Sequence, residues 1–495
     1  MRQLTRHDAR FLYADTAHAN ANVTYVQIYD QRTAPGGKLR FKSILAHIES
    51  RLHRSPIFRN RLLRVPLELD DPYWVEDEHF DLEYHVRHIA LPAPGDWRQF
   101  CIQASRIHAR ALDLSRPLWE IYVIEGLDSV AELPKGSFAL LTKIHHAALD
   151  VERHDEIIEV LHDAARRPPR HEPLAPWFPE RPPGAFSLLC RGAVHTLLSP
   201  TRLAAPLARM APKLKAFAAD LMAPEQRAAT RFNSTVSAHR VFDTRRFAQA
   251  EFDAIRALVP GATLDDAVLS VCAGGLRRYL GERGELPVAD LWADAPWDAP
   301  GDAPGDAPGG VPSEAKPRRV QLGTSEADPL QRLALIQTQT QTAGTQAPPT
   351  KDARNQPLAC FTLKRLAAPA TPLYLNGARL SYLSALLPIA DGMGLVFAVT
   401  CYDGRIVVSP TSCRELLPDP QAFTQCVRDS FQEYLARAGM KNINPAPAPA
   451  RRVRPAAPGA SASGRPGPRA RKARKASTAP RAEPAGRPRS TAPRR

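Results

Sequence analysis

Residues 138–154 read FALLTKIHHAALDVERH. The run Phe138–Ile144 is apolar apart from Thr142 and Lys143, and it predicts a buried strand. His145 and His146 close that strand, and Asp150 follows four residues after His146. A histidine delivered at a strand's end into a cleft suits a general base, because neutral imidazole takes a proton from a hydroxyl near pH 7. An aspartate four residues on would fix the local geometry or the charge state of the ring. By spacing alone, two ordinary histidines leaving a strand fit equally well.

The surroundings decide between these. Before the pair stand Arg54–Arg59 (RSPIFR), Trp74–Asp77 (WVED), Phe80–Val86 (FDLEYHV) and Leu112–Glu120 (LDLSRPLWE). After it come Gly261–Leu269 (GATLDDAVL), Cys272–Leu280 (CAGGLRRYL), Pro372–Ala378 (PLYLNGA) and Tyr402–Arg405 (YDGR). In this order, over roughly residues 8–438, they resemble the wax ester synthase/diacylglycerol acyltransferase family, whose active-site motif is HHxxxDG. The resemblance implies an α/β (α+β) fold of two chloramphenicol-acetyltransferase-like domains with the active site at their interface. It implies transfer of a fatty acyl group from acyl-CoA, a co-substrate, to diacylglycerol or a long-chain alcohol, without a cofactor.

Residue by residue, the resemblance makes His146 the base, as the motif's second histidine, and His145 a structural neighbour. Asp150 would hold the loop through an ionic contact. Pro117, Leu118 and Trp119 would wall an apolar tunnel, although Trp119 reads equally well as plain core. Asp265 and Asp266 read two ways. The resemblance puts Asp266 near the inter-domain site, while their place after Thr263 suits the first turn of a capped helix. No Ser or Cys nucleophile stands out, so direct attack of the alcohol on the thioester is the economical mechanism.

The chain also departs from the family pattern. Val151 stands where the motif has glycine, and a β-branched residue does not tolerate the positive φ that glycine allows. Asp265 replaces an asparagine, and the stretch Leu363–Pro369 replaces Asn-Val-Pro-Gly-Pro. A family strand near 290–320 gives way to low-complexity sequence. These departures predict low activity, and keep open a divergent, weakly active or inactive paralogue that binds lipid or regulates. His146, Asp150 and His154, four apart, would share a face if that segment were helical, a zinc-like spacing. The strand end places a turn there instead, so no metal is expected.

The net charge of +15 is a property of one end. Residues 445–495 carry 14 Lys/Arg and a single acid, Glu483, and the remainder is nearly balanced. This Pro/Ala/Arg-rich tail, from 441 on, lacks the apolar bulk for a core and is expected to be disordered. It would attract nucleic acid or anionic membrane only nonspecifically. Seven scattered cysteines with no CxxC argue against a disulfide framework and for a reducing cytoplasm. The charged start MRQLTRHDARFLYAD is no signal peptide. The apolar stretch Leu383–Tyr402 is broken by Pro388, Asp391, Gly392 and Gly394, and predicts two strands and a turn.

The domain boundaries expected are 1–165, a connection over 166–235, a second domain over 236–440, and the tail. Helices are expected over 43–52, 97–112, 156–165, 247–258 and 264–280, with strands at 121–124 and 236–242. Residues 188–221 read as a basic amphipathic helix. It suits either a crossover between domains or peripheral contact with a membrane or lipid inclusion. The repeat Asp298-Ala299-Pro300-Gly301, continued through Gly309, predicts a solvated loop.

Overall fold

The apolar run that opens the sequence reading is the central strand of a sheet. Phe138–His145 is extended and buried at every position. Its alternating side chains serve two cores, as the strand period of two requires. Phe138, Leu140 and Ile144 join one cluster, while Ala139 and Leu141 face Phe100, Ala104 and Ile107 of a covering helix in another. The computed structural model describes residues 1–66, 70–149, 156–167, 177–184, 186–191, 230–295, 318–342, 358–366, 368–369 and 371–440.

Along the first half run β1 (Arg2–Gln3), α1 (Arg6–Ala14), β2 (Asn22–Asp30), α2 (Phe41–Glu49), β3 (Asn60–Leu63), β4 (Tyr73–Glu76), α3 (Leu82–His85), β5 (Val86–Ala90), α4 (Trp97–Ala109), β6 (Trp119–Glu125), β7 (Phe138–His145) and α5 (Glu156–Leu161). The second half holds β8 (Arg240–Phe242), β9 (Arg245–Ala248), α6 (Gln249–Arg256), α7 (Leu264–Gly281), β10 (Trp292–Ala295), β11 (Arg318–Gln321), α8 (Pro329–Thr342), β12 (Ala359–Leu366), β13 (Tyr374–Leu375), β14 (Ala378–Leu386), β15 (Leu395–Tyr402), β16 (Arg405–Cys413) and α9 (Pro420–Arg437).

These elements make a mixed α/β fold around two large sheets. The first has the order β13-β14-β2-β7-β6-β5 and the second β11-β10-β12-β15-β16-β8, with β9 also on β16. The halves of the chain interlock, because β14 pairs antiparallel with β2, setting Leu386 opposite Thr24. Register then fixes the end of β7: His145 lies opposite Asn22, and Ile144 opposite Trp119. Trp119, Ile121 and Val123 are fully buried behind it. Apolar side chains of this kind contribute roughly 1.5–3 kcal/mol each when fully buried.

Helix α7 starts where Thr263 caps it. The Thr263 hydroxyl accepts from the Asp266 N–H (3.1 Å), and the Asp266 carboxylate accepts from the Thr263 N–H (2.7 Å). Gly275 lets α7 touch α9 backbone to backbone, since a Cβ there would lie 2.7 Å from Val427 Cα.

Local pattern placed α2, α4, α5 and α7 close to where they lie, and β14 and β15 with their intervening turn. Three expectations need correction. Short strands β10 and β11 flank residues 296–317, so strand structure persists near 290–320. Only Arg240–Phe242 of the segment 236–242 is a strand. The helix expected from Phe247 begins at Gln249, because Arg245–Ala248 pairs with β16 instead. Residues 296–317, most of 188–221, and the tail from 441 lie outside the described residues, as do Asp150, Val151 and His154.

Candidate active site

β7 ends in a single 3-10 turn, His146–Ala148, and Leu149 returns to extended backbone. Asp150 and His154 lie outside the described residues. Among the described residues no group of three or more His, Cys, Asp or Glu is placed to hold a metal ion.

Both ring nitrogens of His145 are engaged. Nδ1 accepts from the Ala147 N–H (3.1 Å), so Nε2 carries the proton and donates to Asp15 Oδ2 (3.0 Å). The other oxygen of Asp15 accepts from the Ala21 N–H (2.8 Å). Asp15 thus ties the end of α1, the start of β2 and the His145 ring into one corner. His145 has no nitrogen left for substrate.

His146 is held differently. Its N–H donates to Ala21 O (2.8 Å), and its ring stacks on Phe11 of α1 with centroids 3.8 Å apart and planes 20° apart. It is 4 % exposed, so the ring lies under α1 rather than in an open, solvent-reachable cleft. A cavity of about 360 Å³ adjoins the turn, lined by its next residues, Ala147, Ala148 and Leu149, together with Arg2, Thr5, Asp8, Ile57 and Trp74.

The Pro-Leu-Trp segment joins this corner from the other side. Leu118 O accepts from the His145 N–H (3.0 Å), and the Leu118 side chain packs in one cluster with Ala147 and Leu12. Pro117 bridges to Arg61. Trp119 is core: its indole N–H donates to Phe58 O (3.0 Å), and its ring lies 4.5 Å from that of His85. His85 Nδ1–H donates to Trp119 O (2.7 Å), and burial pushes the His85 pKa down. Asp266 closes the first turn of α7, with burial raising its carboxyl pKa. Asp265 pairs with Arg365 on β12 (2.9 Å). The structure therefore gathers His145, His146, Pro117, Leu118 and Trp119 together, whereas Asp265 and Asp266 lie at the head of a helix on the second sheet.

Sequence reasoning missed Phe11, Asp15 and His85. No local signal marks them, because the Asp15–His145 contact joins residues 130 apart in the chain.

The geometry accords with comparison to known proteins. The wax ester synthase/diacylglycerol acyltransferase catalytic domain matches residues 4–268, and the C-terminal domain of the same family matches 358–434. The chain belongs to this family. It is 28% identical over 470 residues to a Mycobacterium tuberculosis protein provisionally named a diacylglycerol O-acyltransferase, covering 88% of this chain and 89% of the relative. It is 29% identical over 410 residues to the O-acyltransferase WSD of Acinetobacter baylyi, covering 74% and 84%. Its fold matches the wax ester synthase/diacylglycerol acyltransferase of Marinobacter aquaeolei VT8 with a TM-score of 0.63 at 23% identity, over 89% of this chain and 100% of that one.

Proposed function

We propose that this chain is an O-acyltransferase that moves a fatty acyl group from acyl-CoA to diacylglycerol or a long-chain alcohol, making triacylglycerol or wax ester. The observation that carries this reading is the division of labour in the histidine pair. His145 is saturated by Ala147 and Asp15, whereas the His146 ring packs on Phe11 and the residues that follow it in the turn line the cavity.

In this reading the acceptor hydroxyl gives its proton to His146 as its oxygen attacks the thioester carbonyl. The tetrahedral oxyanion then collapses, the carbon–sulfur bond breaks, and the proton passes from His146 to the departing CoA sulfur. A positioned base of this kind contributes about 10²–10⁴-fold in rate. Burial of the ring beneath Phe11 keeps water from competing for the acyl group. The chemistry uses no metal and no cofactor beyond acyl-CoA. Asp150 would hold the loop beyond the turn.

Peripheral contact with a membrane or lipid inclusion from the cytoplasmic side belongs to the same reading. Phe178 and Phe186, 83 % and 79 % exposed, stand just before the basic amphipathic stretch, and no described helix is long and apolar enough to cross a membrane. Purified protein supplied with palmitoyl-CoA and either dioleoylglycerol or hexadecanol is expected to release CoA and form the ester. Free fatty acid as the sole product, or no CoA release with either acceptor, would remove this assignment.

A further inference from the structure

We propose that the arginine-lined cavity between α4 and the β8–β16 edge binds the phosphate-bearing nucleotide end of acyl-CoA; this rests on the acyltransferase reading above. The cavity holds about 680 Å³, a size typical of sites for small molecules and cofactors. Arg98, Arg106 and Arg110 reach it from α4 and its end, Arg240 from β8, and Arg414 from the loop after β16.

The cavity is net basic, with five arginines lining it against two carboxylates, Asp243 and Asp419. Of the acids in the wall, Asp243 already accepts from Trp97 Nε1 (2.9 Å), Arg245 Nη1 (3.1 Å) and the Thr424 hydroxyl. Asp419 caps α9 through the Ala422 N–H (3.1 Å). Glu415, nearby, is bonded to His239 and Ser237. Among the described residues no carboxylate pairs with Arg98, Arg106, Arg110 or Arg414. The buried Arg240 donates only to carbonyl oxygens, those of Ser237 and His18. Several guanidinium groups converging on one concave space in excess of its carboxylates suit phosphate, since their planar forks match phosphate oxygens in charge and geometry. Ile102, 37 % exposed in the same wall, offers apolar surface to a purine face.

Position ties this cavity to the histidines. Asn20 Nδ2 and Asn22 Nδ2 donate to Ala109 O and Arg110 O at the end of α4 (3.0 Å each), and Arg240 Nη2 donates to His18 O (2.8 Å). In the same short segment Ala21 O accepts the His146 N–H, and Asn22 pairs with His145. The strip 18–22 is therefore bonded both to the arginine-bearing elements and to the histidine turn. A nucleotide held by the arginines would place a long pantetheine arm beside the end of β7.

The test uses the full chain and measures CoA, dephospho-CoA and pantetheine binding by titration calorimetry, with KM values for palmitoyl-CoA and S-palmitoyl-pantetheine. In the Arg106→Ala/Arg414→Ala double variant, CoA binding should weaken about tenfold or more, and the KM for palmitoyl-CoA should rise in step. The KM for S-palmitoyl-pantetheine, which lacks the nucleotide, should move less than about twofold. Arg98→Ala, also at an exposed position, should shift CoA affinity in the same direction and guards against misfolding of the double variant. Unchanged CoA affinity in both variants would overturn the proposal, even if wild type is active. Loss of binding to phosphatidylglycerol vesicles with CoA affinity unchanged would overturn it too, in favour of a lipid-headgroup site. Weakened CoA binding in the variants alongside an inactive wild type would support the site and remove the catalytic reading instead.

Discussion

Two walls meet at the histidine turn, and their chemistries differ. On the α1 side, Phe11 stacks on His146, and the adjoining cavity of about 360 Å³ mixes Ala147, Ala148, Leu149, Ile57 and Trp74 with one acid and one base, Asp8 and Arg2. On the α4 side, the cavity of about 680 Å³ presents five arginines against two carboxylates, Asp243 and Asp419. On the proposed reading, the first takes the lipid alcohol and the second the polyanionic thioester. On that reading the two substrates reach His146 along unlike surfaces, and residues 18–22 bond to elements on both sides.

The sharpest way to break this picture is at the corner that holds the turn. Asp15→Ala removes the acceptor for His145 Nε2–H and for the Ala21 N–H. Turnover is expected to fall on the order of 10²-fold, since a misplacement of about 1 Å costs that much. Because Asp15 positions rather than reacts, kcat should fall while the KM for palmitoyl-CoA holds. Asp15→Asn, whose amide oxygen still accepts one of these bonds, should recover part of the loss. A rise in the KM for palmitoyl-CoA with kcat intact would place Asp15 in substrate binding instead.

A smaller effect sharpens the contrast itself. Ala148→Trp fills the α1-side cavity without touching the arginines. The apparent KM for hexadecanol should rise about tenfold, with palmitoyl-CoA much less affected. An equal rise for both substrates would mean that they share this cavity.

The smallest effect concerns stability. His108 on α4 bonds Thr24 Oγ1 (2.9 Å), and burial, with Arg240 and Lys143 nearby, pushes its pKa down to about 3. His162, beyond α5 and bonded to Tyr29 Oη (2.6 Å), is pushed down to about 4, chiefly by burial. Both stay neutral in the fold while the unfolded chain takes protons near pH 6.5. Their contribution is therefore complete above about pH 6.5 and drains as pH falls toward those folded values. The slope is about 1.4 kcal/mol per pH unit for each group. Thermal unfolding should show Tm dropping between pH 7 and pH 5, and His108→Gln should flatten the drop. An identical pH dependence in that variant would show that His108 is not buried as a neutral ring.

Much of this was legible in the sequence, for physical reasons that also mark where legibility ended. β7 announced itself because a strand with both faces buried reads as an unbroken apolar run. Helix α7 did so because Thr263 and Asp266 form a local capping box. The histidine pair was visible as a motif, and the family it resembles is the family to which the chain belongs. What stayed hidden depends on distant residues. β14 joins the first sheet by pairing with a strand more than 340 residues earlier, Arg379 opposite Asp30. Asp15 reaches His145, and the arginine cavity assembles side chains from residues 98 to 414. The strands β10 and β11 escaped notice because each has four residues beside a Pro/Gly/Asp repeat. Their evidence lies in pairing partners rather than in periodicity.

The account rests on the two histidines having different parts, and one comparison tests that most directly. Wild type, His145→Gln and His146→Gln are assayed side by side for CoA release from palmitoyl-CoA with a saturating alcohol, after their folds are matched by circular dichroism. The account predicts that His146→Gln loses about 10²–10⁴-fold in kcat while His145→Gln loses far less. A His146→Gln enzyme that turns over at the wild-type rate would contradict it.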